Sequence, residues 1–186
     1  MSGSYAETFA VAKGIPVTRI SSISADCSKI RKTYVLGSEF DEDKLSVEVK
    51  LTNDDSAVLD IGDYELTGFD ASKAQKCVLT VSLWDHSYRF EVKIVEFIYG
   101  DANSDSYVTS SDIVRLKKYY AAYNVNTSTS SVTIGKGAYA DGNGKVDFAD
   151  IVCLKKYFAA MDAETGASSV HLGPVGENDG WSNDIR

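Results

Sequence analysis

At 186 residues, with 44% hydrophobic and 25% charged side chains, the chain can hold one or two domains with cores of ordinary size. Its formal net charge of −8 argues against a nucleic-acid partner, which calls for a basic patch. No stretch approaches the roughly 20 apolar residues of a membrane-spanning helix, so no membrane partner is expected.

Residues 1–19 open on Met1-Ser-Gly-Ser, which has neither a charged n-region nor a long apolar core, and read as an N-terminal segment with an artificial junction. From Ile20 to Phe97 the pattern is that of strands. Leu45 to Leu51, Cys77 to Trp84 and Tyr88 to Ile94 alternate apolar and polar residues, as half-buried strands do. Asn53-Asp-Asp-Ser, Asp70-Ala-Ser and Asp85-His-Ser punctuate them as turns. Short strands at this spacing favour an antiparallel sandwich. The three cysteines, Cys27, Cys77 and Cys153, allow one disulfide at most. Cys27 and Cys77 sit in strand-like segments, where a bridge and buried free thiols are both open readings. Cys153 lies on a helix.

No catalytic constellation stands out in this half. His86 beside Asp85 could be an acid/base pair, but with no nucleophile in view a solvated turn accounts for it better. Trp84 and Tyr88 flank the same turn. They could offer a sugar-stacking platform, although cross-strand aromatic packing is the commoner cause. Thr33-Tyr-Val-Leu-Gly37-Ser-Glu-Phe, Leu45 to Leu51, Tyr64-Glu-Leu-Thr-Gly68-Phe-Asp and the paired runs 77–84 and 88–95 together resemble a bacterial immunoglobulin-like domain. The resemblance implies an all-β sandwich over 20–97, acting as an accessory module.

The second half opens on Asp101-Ala-Asn103-Ser-Asp105-Ser-Tyr107-Val108-Thr109-Ser-Ser-Asp112. Oxygen-bearing residues at positions 1, 3, 5, 9 and 12 give the ligand spacing of an EF-hand calcium loop, with the Tyr107 carbonyl at position 7. Thr109 would act through water and Asp112 would close the site with both oxygens. Capping of the following helix by Asp112 would not explain Asp101 or Asp105. Ser106 stands where such loops have glycine, which implies a strained left-handed residue.

The pattern returns 38 residues later. Val108, Asp112, Ile113, Val114, Leu116, Lys117, Lys118, Tyr119, Ala121 and Ala122 recur as Val146, Asp150, Ile151, Val152, Leu154, Lys155, Lys156, Tyr157, Ala159 and Ala160. Two such units imply a pseudo-twofold pair, each burying the other's apolar face. The expected stripes are Ile113, Leu116 and Tyr120, then Ile151, Leu154 and Phe158. The second loop has Tyr139 at its first position, where a carboxylate belongs. Asp141, Asn143, the Lys145 carbonyl, Asp147 and Asp150 remain as ligands, with Gly144 at the turn. A second calcium site and a metal-free loop held by its own hydrogen bonds are both open. Neither loop has a helix before it.

Loop plus exiting helix, duplicated, with Leu-Lys-Lys-Tyr in each copy, resembles a dockerin over about 99–172. The resemblance implies two domains: an all-β immunoglobulin-like sandwich, then a small all-α dockerin (98–172) with two EF-hand-like calcium loops. It implies a non-catalytic module that folds around calcium and binds a cohesin of a scaffold or cell-surface anchoring protein. The parent protein would thereby join an extracellular polysaccharide-degrading complex. The implied cohesin-binding residues are Ser110, Ser111, Val114, Lys117 and Lys118, and Phe148, Ala149, Val152, Lys155 and Lys156. Two hydroxyls facing one aromatic and one methyl imply a single dominant orientation on the partner. The protein is expected to be secreted and monomeric until a cohesin binds. The alternative is an EF-hand-like calcium-binding protein with a carbohydrate-binding sandwich. A calcium sensor is disfavoured, because sensors need full helix–loop–helix pairs and methionine-rich grooves. The 173–186 tail, rich in Gly and Asp, is expected to be mobile unless Trp181 anchors it.

Overall fold

The structure is a computed structural model. It describes residues 5–14, 17–164 and 166–174; Met1-Ser-Gly-Ser and most of the tail, Trp181 included, lie outside the described residues. Two compact units emerge. One takes Phe40–Phe69 and Cys77–Glu91 with the N-terminal stretch to Ile30. The other takes Arg31–Glu39, Asp70–Lys76 and the chain from Val92 onward. Among the described residues no helix is long and apolar enough to cross a membrane.

The 1–19 segment contains a short helix, α1 (Tyr5–Ala12), which the sequence reading does not anticipate. Phe9 and Val11 are exposed on it, so it buries little and leaves no apolar stripe to read. A three-stranded antiparallel sheet follows, in the order β1 (Ile20–Asp26), β3 (Ser46–Leu51), β4 (Ser56–Leu59). Ile23 pairs with Val49 and Ala25 with Val47. Val47 and Val49 are buried while Ser46, Glu48 and Lys50 face water, which is the alternation the sequence displays.

A four-stranded sheet has the order β2 (Thr33–Val35), β7 (His86–Val95), β6 (Gln75–Leu83), β5 (Glu65–Thr67). On β6 the inward set is Cys77, Leu79 and Val81, all buried. Gly68 has φ +96°, and a Cβ there would lie 2.2 Å from the Val78 carbonyl oxygen. Gly-Phe-Asp is thus a place where one strand's backbone must approach another closely. The expectation of a purely antiparallel sandwich fails at β2, which runs parallel to β7 with Tyr34 opposite Ile94. The two strands are distant in sequence, so no hairpin forces them antiparallel. None of the three cysteines is in a disulfide, Cys77 being buried and Cys27 and Cys153 half-buried, so the bridged reading of Cys27 and Cys77 does not hold.

In the second unit two helices, α2 (Ser110–Ala121) and α3 (Phe148–Ala159), flank a small hairpin of β8 (Tyr123–Asn124) and β9 (Thr129–Ser130). The hairpin is a departure from an all-α module. Its core is Ala102, Leu116, Ala138, Ala140, Ile151, Leu154, Tyr157 and Leu172. Phe158 packs partly buried against this core, as Ile113 and Tyr120 do, and Tyr157, which the expected stripe left out, is buried within it. A 3.6-residue period places both i+6 and i+7 near the buried face, so the sequence could not choose between them.

Candidate metal loops and the exposed helical face

Each loop is a ring of backbone donors closed on carboxylates. Asp101, 5% exposed, accepts from the N–H of Asp105 on Oδ1 (3.2 Å) and of Ser106 on Oδ2 (2.9 Å). Asp112, fully buried, accepts on Oδ1 from Ala102 (2.9 Å) and Asn103 (3.1 Å), and on Oδ2 from Thr109 (2.7 Å). The Asn103 amide donates to Asp105 Oδ2 (2.8 Å), and the Tyr107 N–H donates to Asp105 Oδ1 (2.9 Å). Thr109 is also the N-cap of α2, forming a capping box with Asp112. Ser106 has φ +70°, the left-handed turn its position demands, and Ser104 has φ +63°.

In the second loop Asp150, fully buried, accepts from Asp141 (Oδ1, 3.3 Å) and Asp147 (Oδ2, 2.7 Å). Asp147 caps α3 through the Ala149 N–H (2.7 Å). Asn143 donates its amide to Asp141 Oδ2 (2.9 Å) and accepts from the Lys145 N–H (2.7 Å). Gly144 turns at φ +78°. Tyr139 is half-buried at the first position, and the exposed Lys145 stands at the seventh.

Burial pushes the carboxyls of Asp101, Asp112 and Asp150 above the ordinary carboxylate range, against backbone N–H bonds that pull them down. A neighbouring carboxylate adds to the rise in each case: Asp105 for Asp101, Asp101 for Asp112, Asp141 for Asp150. Among the described residues no three acidic, histidine or cysteine side chains alone form a metal-holding group. A calcium shell, however, draws also on amide, hydroxyl and carbonyl oxygens. Buried, mutually repelling carboxylates mixed with such oxygens form a donor set suited to a hard divalent cation.

The structure also extends the repeat beyond what the sequence reading found. The Ser130 hydroxyl donates to the Tyr119 carbonyl (2.8 Å), and Ser168 does the same to Tyr157 (2.8 Å). Gly135 N–H donates to the Ala102 carbonyl (2.9 Å), and Gly173 N–H to that of Ala140 (2.9 Å). Each helix is thus followed by a strap that returns to the second position of its own loop. The signal was present as Ser130-Ser-Val and Gly135 against Ser168-Ser-Val and Gly173, at the same 38-residue offset. It lay outside the helical pattern that drew the alignment.

The ten residues assigned to a partner face are all exposed. Val114 and Val152, which are equivalent, are each 48% exposed, and Phe148 is 68% exposed. Phe148 stacks on Tyr120 with centroids 4.6 Å apart and planes at 16°. The counterpart end differs. There the Ser111 hydroxyl is engaged with Thr109 Oγ1 (2.6 Å) and Asn103 Nδ2 (2.9 Å), inside its own loop. In the first unit His86 opens β7, with Nε2 3.5 Å from the exposed Asp85 carboxylate. Trp84, 82% exposed at φ +53°, projects from the turn, whereas Tyr88 lies near Phe90 (6.5 Å).

Comparison with known families agrees with this division. Residues 99–159 match the Dockerin type I domain, and residues 31–94 match the Bacterial Ig-like domain (group 3). The chain carries a dockerin type I domain preceded by a bacterial Ig-like domain. Both are families of non-catalytic modules; dockerins as a family bind calcium and cohesins in cellulosome-type assemblies. No curated protein matches the chain. Three solved chains do, among them a “Solution structure of a putative surface protein”, 23% identical over 43% of this chain and 91% of that one, with a TM-score of 0.27.

Proposed function

We propose that this chain is a non-enzymatic, calcium-dependent docking module that joins its parent protein to a cohesin-bearing scaffold outside the cell. The observation that carries the reading is the repeat itself: two capped loop–helix units that expose Val114, Val152 and Phe148 on one side and bury Leu116 and Leu154 on the other. Asp101, Asn103, Asp105, the Tyr107 carbonyl, Thr109 and Asp112 would hold one ion. Asp141, Asn143, the Lys145 carbonyl, Asp147 and Asp150 would hold a second. Bound calcium supplies the positive charge that the buried carboxylates lack, so its binding free energy becomes folding free energy. The helices then present a preorganised face with an apolar centre and a rim of Lys117, Lys118, Lys155 and Lys156. The Ig-like domain serves as a stabilising spacer, and the protein is a secreted monomer until it docks.

Titration of the whole chain against a panel of cohesins, with and without chelator, tests this. A saturable complex that is lost in chelator is expected. Phe148→Ala should weaken it by tenfold or more, on the order of an interface hot spot, and more than Ser110→Ala, because the aromatic end should anchor a single orientation. Binding that survives full chelation, or equal losses for the two substitutions, would refute the reading.

A further inference from the structure

Arg31 lies in the segment that matches the Ig-like family, yet it packs in the same compact unit as the first loop. It is only 7% exposed. Its guanidinium carbon is 4.5 Å from the centroid of the Tyr34 ring and 5.0 Å from that of Tyr107. Tyr34 is fully buried on β2; Tyr107 is the seventh residue of the loop, whose backbone carbonyl is a ligand in the calcium reading. A guanidinium held against aromatic faces is attracted by the ring quadrupole, most strongly where water is excluded. The loop needs such a hold. It reaches Tyr107 through Ser104 and Ser106, both left-handed without being glycine, a conformation that costs energy at each residue. The second loop has glycine at the matching turns, Gly142 and Gly144, and an exposed Lys145 at its seventh position.

We propose that Arg31 is a positioning residue for the first loop: by gripping the Tyr107 ring it fixes the backbone at the seventh position, so that cation affinity there depends on a side chain of the Ig-like segment. The inference rests on the calcium reading of that loop. It differs from a spacer role in assigning the coupling to one contact and to one of the two loops.

The test uses the full chain. Competition with a chromophoric chelator gives calcium affinities for both loops in every variant, and terbium(III) luminescence excited through Tyr107 identifies the first loop in the chains that keep this tyrosine. Arg31→Leu should weaken the first site roughly threefold to thirtyfold, the span of a partly to fully desolvated cation–π contact. The second site should move by less than about twofold, as expected of an uncoupled position. The loss should persist in a Tyr107→Phe background, which keeps the ring, and vanish in a Tyr107→Leu background, which removes it. Wild-type affinity in Arg31→Leu, or an equal loss in both backgrounds, overturns the proposal. Should Arg31→Leu not fold, Tyr107→Phe against Tyr107→Leu decides: the leucine variant must bind more weakly, and equal affinities overturn it. A wild-type chain that takes up neither ion removes the calcium reading itself, and the clamp with it.

Discussion

The two loops share a scaffold and differ in what fills it. Both end on a fully buried aspartate that closes backbone N–H groups and completes a capping box, Asp112 in one and Asp150 in the other. They diverge at the first position. Asp101 is buried and gathers the N–H groups of Asp105 and Ser106, whereas Tyr139 brings no carboxylate to the same place. Each loop carries three aspartates, but the first buries one of them at its opening position and accepts two strained serines. The second uses glycines and stitches itself with Asn143 and Asp141. The helix-starting residues are alike in both copies, while the residue at the first loop position differs. The largest consequence is reciprocal. Asp101→Ala removes a charged acceptor from two backbone donors and should destabilise the chain by about 2–4 kcal/mol in excess calcium. Tyr139→Asp should raise the calcium affinity of the second loop by about tenfold, one extra carboxylate ligand's worth. Denaturant unfolding and chelator competition measure the two. If Tyr139→Asp leaves that affinity unchanged, the missing carboxylate is not what separates the loops.

Acid should separate them next. The carboxyls of Asp101, Asp112 and Asp150 all lie above their ordinary range because of burial. An acid whose folded pKa is raised favours the fold fully below its unfolded pKa, and that contribution is lost as pH rises through the raised value. The metal-free chain should therefore melt higher in mild acid than at neutral pH as far as these groups decide. Calcium requires the ionised forms, so lowering the pH through the same window should weaken binding. Two raised groups belong to the first loop and one to the second, so calcium release from the first should be the steeper with pH. Parallel melts in chelator and in calcium across that range check the opposed signs; equal slopes for the two loops would break the comparison.

How much of this was legible in the sequence follows from what each level of structure requires. The helix starts were readable because the aspartate closing each loop acts locally, although capping was weighed only for Asp112 and the caps Thr109 and Asp147 were taken as ligands. The alternating strands were readable because β3, β6 and β7 each bury one face. The straps were missed because Ser130 and Ser168 act across 11 residues on a helix carbonyl, with no periodic pattern to mark them. The parallel β2 and the Arg31 contact were illegible for a related reason: three residues carry no register, and a cation over a ring needs coordinates. Phe148 was visible as an aromatic out of place, but not the ring beneath it.

That ring is where the smallest effect should be found. Tyr120 stands where the second repeat has Phe158, and its hydroxyl is buried without a hydrogen-bond partner. Its pKa is pushed up to about 12, first by burial and then by the charges of Asp150 and Asp147. A buried hydroxyl with nothing to bond keeps its desolvation cost, and replacing it by an apolar group of the same shape is neutral to stabilising. Tyr120→Phe keeps the face that stacks on Phe148 and removes only the oxygen. It should raise stability by up to about 1 kcal/mol in chelator. The gain should shrink in calcium if charge neutralised at Asp147 and Asp150 relieves part of the same penalty. A loss of about 1 kcal/mol or more would mean that the hydroxyl has a partner in solution. The second loop, through that oxygen, would then be tied to the first repeat more closely than its own residues indicate.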